Sequence, residues 1–595
     1  METNSFYKKC KIIIILALIL SFFLFYFDKI SYGLPYFLNP DEIEFQNSIL
    51  SVLYLISDQF VLSYNPLYAP ILNAILIINS IFVNEFLLNS LSLSEIKFKI
   101  YFNPELFLFY GRLASLTITS LSIFILYLIF KKFKINFLIS FILLITFSTS
   151  FVIFNLSTIM GKNSCNLLVY LVQIYFFSKY SIKIEKFNNR SYLFFGLLAS
   201  FAWGINYWPA FISIYAVLYL HFRKFRFAKI NYLIIFSIIF IIFGPFINFL
   251  FVNFSPLEHL YYSNEIQQNR YDGMSYFESI LFRTIISFQT IYFTDKNIFL
   301  LAAIAPFFLI NKKTKFKREF LVFIFLFIEP IILFGLTGTI IPQLRYFGGI
   351  ISVILILTAI IFNELYKTNF KYFILVFLAL NFYLVADNIN RILKANNILN
   401  QKHTFFNFNK NIKIDKSKIL YLVDLGFQES LDQNNYYKNL FDNDLIDKNT
   451  RSLKFIENIE KKIQIIKNTK KIYVENPDLK ENIIYHNYTF FPISNYENFF
   501  NFIRKEFEYV LIEESQPPYL SDTKIQKKIR DYVKSNFKLI SSHKNQNKIF
   551  LRYQQSVLHY FSNTLTKIDI SKDYHDYDRE ADVVYGSNFG LYKLN

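Results

Sequence analysis

The sequence predicts a mainly α-helical protein, a polytopic membrane helix bundle of about eleven spans followed by a C-terminal soluble α/β domain. Three observations carry that expectation. Of 595 residues, 54% are hydrophobic, 20% aromatic and only 18% charged, and the mean hydropathy is positive, a balance found in integral membrane proteins that carry some soluble mass. Apolar runs able to cross a hydrocarbon core of about 30 Å, or nearly so with tilt, recur through the first two-thirds of the chain. From Arg391 onward the composition turns to Lys, Asn, Asp and Glu, and short strand-like runs alternate with amphipathic helical patterns. The expected division is therefore a membrane domain over 1–390 and an α/β domain over 391–595.

The apolar runs are residues 11–27, 104–130, 135–154, 165–178, 191–207, 208–220, 231–251, 297–310, 320–336, 347–362 and 370–385. The first reads as a span rather than a signal peptide, because no small-residue cleavage site follows it and further spans do. Residues 50–93 are apolar in patches but broken by Pro66 and Pro70, and residues 278–293 set Arg283 among Ile, Leu and Phe. Both segments read as interfacial helices, with Arg283 able to snorkel to headgroups.

Lys and Arg cluster in alternate connections: Lys8 and Lys9; Lys131, Lys132 and Lys134; Lys183, Lys186 and Arg190; Arg223, Lys224 and Arg226; and Lys312 through Arg318. The positive-inside rule makes these cytoplasmic and puts Asp41, Glu42, residues 253–295, residues 339–346 and the C-terminal domain outside. The net charge of +18 accompanies a bias toward Ile, Phe, Tyr, Asn and Lys that resembles an AT-rich coding sequence, so no nucleic-acid partner is expected. Cys10 and Cys165 fall on opposite sides in this topology and cannot pair.

In the C-terminal domain, strands are expected at 419–423, 472–474, 509–512 and 549–553, and helices at 451–467, 496–507 and 523–537. Residues 537–553 read as a hairpin around 542–547. No internal repeat stands out.

Just beyond the first span the chain reads Asn39-Pro40-Asp41-Glu42. These residues make a good helix start, with Asn as cap, Pro at the first position and Glu completing a capping box. A carboxylate fixed in a first helical turn is also what a general base needs to meet a substrate hydroxyl, so the two readings are compatible. Pro342-Gln343-Leu344-Arg345-Tyr346 leads into a late span. An arginine there either snorkels or grips a phosphate by two parallel hydrogen bonds. Arg112, entering the second span, and Lys162, before Cys165, add cations at a similar depth, so the set suits a lipid phosphate.

The order of these elements resembles the integral-membrane glycosyltransferases of the type C fold, in particular bacterial relatives of protein O-mannosyltransferases and of the lipid A aminoarabinose transferase. The resemblance rests on Pro40-Asp41-Glu42 after the first span, Asn65-Pro66-Leu67-Tyr68, Tyr110-Gly111-Arg112-Leu113-Ala114-Ser115 opening the second span, and Arg345-Tyr346 before a late one. It covers the first 390 residues. It implies a polyprenyl-phosphate-linked sugar as donor, a lipid, glycan or protein as acceptor, and inversion at the outer face of a bacterial cytoplasmic (inner) membrane, with the N-terminus inside. Asp41 would deprotonate the acceptor and Glu42 orient it or support a metal. Arg345, Tyr346, Arg112 and Lys162 would hold the donor phosphate.

Where many relatives carry an acidic residue in the second outside loop, this chain has Gly161-Lys162-Asn163-Ser164. The sequence therefore gives no support for a divalent metal, and the cofactor is left unassigned. Glu258 and His259, in the long outside loop, are candidates for an accessory or acceptor contact, although a lone His in a polar loop is usually just solvated. Asp442-Asn443-Asp444 and the acid-rich 573–580 read as exposed loops. The rival readings are a lipid-linked-sugar flippase or other transporter, which would place ionisable residues mid-span or break helices in two related halves, and a non-catalytic membrane protein.

Overall fold

The computed structural model describes residues 2–31, 49, 67–89, 104–252, 280–281, 284, 322–326, 328, 347–367, 371–400, 411–422, 431–446, 484–486, 491, 493–513, 523–543 and 589–594. These residues are mainly helical. Among the described residues, four helices are long and apolar enough to cross a membrane: Lys9–Ile30, Phe107–Lys132, Asn231–Leu250 and Gly348–Tyr366. A fifth crossing is available if the pair Phe137–Ser148 and Phe151–Thr158, bent by 59°, forms one broken span. The predicted run 135–154 is thus divided, because the extended Ser150 interrupts the helix. Run 297–310 lies outside the described residues, and 320–336 is described only at 322–326 and 328, all helical.

The chain forms two units: Met1–Ile30 with Tyr64–Asn73 and Gly111–Lys394, and Ser31–Ser63 with Ala74–Tyr110 and Ala395–Asn595. The helices are α1 (Glu2–Phe27), α2 (Tyr68–Ile81, continuing as a π-helical stretch to Leu88), α3 (Pro104–Lys132), α4 (Phe137–Ser148), α5 (Phe151–Thr158), α6 (Lys162–Ile182), α7 (Asn189–Ile205), α8 (Tyr207–Phe225), α9 (Asn231–Ile241), α10 (Ile247–Val252), α11 (Gly348–Lys367) and α12 (Lys371–Asn400). The change of composition at Arg391 falls inside α12, and the boundary between units on this helix is Lys394/Ala395.

Polar side chains inside the first unit are held in ways an apolar medium tolerates. Thr119, Ser120 and Ser122 of α3 donate back to carbonyls four residues earlier. Gln173 of α6 accepts from the Ser213 amide at 3.0 Å and from its hydroxyl at 2.6 Å, tying α6 to α8. Thr146 of α4 donates to Asn381 of α12 at 2.9 Å. Such bonds each contribute about 0.6 kcal/mol in lipid, so close packing carries the rest. On α7, Gly196 and Ser200 let α9 approach: a Cβ on Gly196 would lie 3.1 Å from the Phe236 carbonyl, and a Cβ on Gly244, past the end of α9, 3.2 Å from the Ser200 Cα.

In the second unit, strands β1 (Ile419–Leu422), β2 (Ile484–Tyr485), β3 (Tyr509–Glu513), β4 (Lys538–His543) and β5 (Phe589–Lys593) form one sheet in the order β2-β1-β3-β5-β4. β1 pairs in parallel with β2 and β3, and β5 pairs antiparallel with β3 and β4. Helices α13 (Leu431–Asp442), α14 (Tyr496–Ile503) and α15 (Thr523–Asn536) accompany it. All four β1 side chains are buried, as a central parallel strand requires. β1, β3, α14 and α15 lie where the sequence predicted them. The predicted strands 472–474 and 549–553 and helix 451–467 lie outside the described residues, so the described partner of β4 is β5, from the chain's last residues. Asp442-Asn443-Asp444 is the exposed end of α13, with Asp444 in the left-handed region at φ 54°.

His486, directly after β2, sits buried among the rings of Tyr436, Tyr437 and Phe499, and its Nε2 donates to the Phe491 carbonyl at 3.0 Å. Burial pushes its pKa down to about 3, against a smaller opposing effect of that hydrogen bond. Below the ordinary pKa of about 6.5 the unfolded chain takes up a proton that the folded domain refuses, so stability falls as pH drops from there toward about 3. The loss is expected to reach about 2 kcal/mol by pH 5. Amide protection factors in β1 and β3 of the full chain, taken relative to the intrinsic exchange rate at each pH, should fall by about 30-fold from pH 7 to pH 5, and His486→Phe should flatten the difference.

Candidate functional site

The first unit has a basic end. Lys11 of α1 lies over the Phe137 ring at 5.4 Å, and the Asn136 amide donates to Asn363 of α11 at 2.8 Å. Lys132, closing α3, lies over Tyr175 of α6 at 5.4 Å. Arg223 of α8 donates to the Ser181 carbonyl at 2.9 Å, and Lys224 donates to the Glu185 carbonyl at 3.0 Å. The N-terminal stretch and the basic connections after α3, α6 and α8 therefore share one side, as the positive-inside pattern requires of loops facing one compartment.

The opposite end gathers the segments that flank the sequence motifs. Tyr26, near the end of α1, donates to the Ser148 carbonyl at 2.9 Å, and its ring meets Phe154 of α5. At the start of α3, Gly111 faces Met160: a Cβ there would lie 2.1 Å from the Met160 sulfur, so the turn Met160-Gly161-Lys162 crosses α3 beside Arg112. Gly348 of α11 faces Leu156 of α5 and Leu167 of α6 in the same way. α2 joins through Asn73, whose Nδ2 donates to the Cys165 sulfur at 3.2 Å.

The Leu67-Tyr68 pair is fastened to the π-helical stretch that follows α9. There Pro245 lies inside a π-helical turn, Ile242–Phe246. The Asn248 Oδ1 accepts from the Leu67 amide at 2.9 Å, and the Tyr68 hydroxyl donates to the Phe243 carbonyl at 2.6 Å. The Tyr68 ring stacks on Phe201 and fills the space that the absent side chain of Gly204 leaves. A proline inside a membrane helix frees backbone carbonyls that need other partners, and Tyr68 donates to one in this stretch.

Two of the predicted site residues lie at this end. Arg112 is fully buried, and its Nη1 donates to the carbonyl of Ile30 at 2.9 Å. Ile30 closes the apolar stretch of the first helix, eleven residues before Asp41 in the chain. Lys162 opens α6, partly exposed, behind the N-cap Gly161, which makes no side-chain capping bond. Arg112 is thus a cation that holds the chain. Asp41, Glu42, Glu258, His259, Arg345 and Tyr346 lie outside the described residues. The first described residue after Arg345-Tyr346 is the buried Phe347, next to Gly348.

Protein-family models, curated proteins and solved structures gave no match to this chain.

Asn73 and Asn248 escaped the sequence reading although both are fully buried polar residues at this end. The signal was present: each is an isolated amide in an otherwise apolar stretch, where a polar side chain needs a stated partner. Among the described residues, no group of three or more His, Cys, Asp or Glu is placed to hold a metal ion.

Proposed function

We propose that this chain is a membrane glycosyltransferase of the type C kind, with about eleven spans, that moves a sugar from a polyprenyl-phosphate donor to a hydroxyl or amine of a lipid, glycan or protein acceptor. Asp41 takes the acceptor proton while the acceptor oxygen or nitrogen bonds to the anomeric carbon from the face opposite the phosphate. The bond from that carbon to the phosphate oxygen breaks, its electron pair leaves with polyprenyl phosphate, and the configuration inverts. Arg345 and Lys162 stabilise the charge growing on the departing phosphate, with Tyr346 beside them, and Glu42 orients the acceptor. Glu258 and His259 are accessory acceptor contacts. The site faces the outside of a bacterial inner membrane, whose low dielectric strengthens each of these interactions and limits hydrolysis.

The observation that supports this reading most is the Arg112–Ile30 bond. It fixes a guanidinium, buried at the end opposite the basic loops, onto the chain that leads into Pro40-Asp41-Glu42. Arg112 then acts by position and field. A transport reading draws on the 59° bend between α4 and α5 and on the π-helical turn around Pro245, since transporters use interrupted helices to line their sites.

The two readings separate in proteoliposomes given a radiolabelled polyprenyl-phosphate sugar and a mixture of envelope lipid, glycan and protein acceptors. Label in a new covalent product, with release of polyprenyl phosphate, is the expected result. Label that changes leaflet without a new bond would establish transport instead, and neither outcome would overturn both.

A further inference from the structure

The basic end of the first unit carries a pair of lysines over aromatic rings that the proposed sugar transfer does not use. Lys132 closes α3 with its ammonium 5.4 Å from the centre of the Tyr175 ring. Lys179, one helical turn beyond Tyr175 on the same face of α6, lies 5.4 Å from Phe176 and 5.5 Å from Tyr180. Side chains four apart on a helix are neighbours at about 6 Å between Cβ atoms, so the two ammoniums flank one patch of α6. Lys132, Tyr175, Phe176, Lys179 and Tyr180 are all partly exposed.

Neither ammonium has a hydrogen-bond or carboxylate partner among the described residues. A ring face attracts an ammonium but accepts none of its three N–H bonds in the ordinary geometry, so the donors stay available. The connections 131–136, 179–190 and 223–229 contain a single carboxylate, Glu185, against a surrounding excess of Lys and Arg. Two cations with free donors over an aromatic floor, at the end of the membrane-length helix α3, match the phosphodiester of a lipid whose glycerol backbone lies against the rings.

We infer that Lys132 and Lys179, with Tyr175 between them, bind the phosphodiester headgroup of an anionic glycerophospholipid between the ends of α3 and α6. The site is independent of the proposed transfer reaction. An anionic headgroup gains about fivefold in affinity for each lysine near the membrane surface.

The test uses the full chain in mixed vesicles of phosphatidylglycerol and phosphatidylcholine, reading the ratio of the two lipids retained after detergent extraction. The parent is expected to enrich phosphatidylglycerol. Lys132→Gln with Lys179→Gln should lower that enrichment by about 5- to 25-fold, and Lys131→Gln with Lys134→Gln, an equal charge change on exposed lysines, should lower it much less. Equal retention of both lipids by the parent, or equal loss in the two double variants, would overturn the site. A photoactivatable phosphatidylglycerol on the parent protein, which needs no substitution, should label residues 172–183, and labelling confined to other segments would overturn it as well.

Discussion

Asp41→Asn is expected to lower sugar transfer by about 10²- to 10⁴-fold, the range that removal of a general base gives. Asparagine keeps the shape of aspartate and gives up only the dipole-favoured charge in the expected first turn, about 0.3–1 kcal/mol, so the Pro40-Asp41-Glu42 start keeps most of its local chemistry. What disappears is the capacity to take a proton from the acceptor as its oxygen attacks. The expected signature is a fall in turnover with donor affinity little changed, because the phosphate is assigned to Arg345 and Lys162 and not to the carboxylate. Glu42→Gln should lose less, mainly through weaker acceptor binding. Single-turnover transfer from a labelled polyprenyl-phosphate sugar measures both. Full transfer by Asp41→Asn would remove it as the base, and loss confined to Glu42→Gln would move the role to Glu42.

How much of this protein could be read from its sequence depended on whether the deciding interactions were local. α3, α11 and the helix 231–250 each carry a long apolar run whose only compact solution in lipid is a helix, and the sequence marked all three. The division of 135–154 was harder. Thr149 and Ser150 are small polar residues that a hydropathy window averages away, yet Ser150 turns extended and the axis bends by 59°. The missed strands have the same cause in another form. β2 is two residues long, and Gln433 of α13 donates to and accepts from the backbone of Tyr485 at 2.6 and 2.7 Å, so its place is set from 52 residues away. β5 contains Gly590, which blunts the strand pattern, and owes its register to β3 and β4. At the candidate site, Arg112 and Lys162 stood out as charges beside apolar runs. Tyr68, Gly204, Asn248 and Asn73 did not, because each acquires its meaning only when α2, α7, α6 and the π-helical stretch after α9 are brought together.

Arg112→Met is expected to separate a strut from a participant. Methionine fills much of the same volume, so little cavity opens, but the Ile30 carbonyl loses a charged donor whose hydrogen bond is worth about 1.5–3 kcal/mol. Removing a buried guanidinium also removes its desolvation penalty, which can offset that loss in the folding equilibrium. The stability change is therefore expected to be small compared with the effect on transfer. If the Arg112–Ile30 bond fixes the chain that carries Asp41, the same 1.5–3 kcal/mol enters the barrier and transfer falls by about 10- to 150-fold. Arg112→Lys keeps the charge while giving up the planar fork, so it should recover the field on the phosphate and only part of the positioning. Transfer is then expected to rank parent, then Lys, then Met, with the Met variant still melting within a few degrees of the parent. A variant that loses its melting transition but retains specific activity in the surviving fraction would assign Arg112 to folding alone. Equal loss in the Lys and Met variants would show that the geometry of the Ile30 bond matters and that the charge does not.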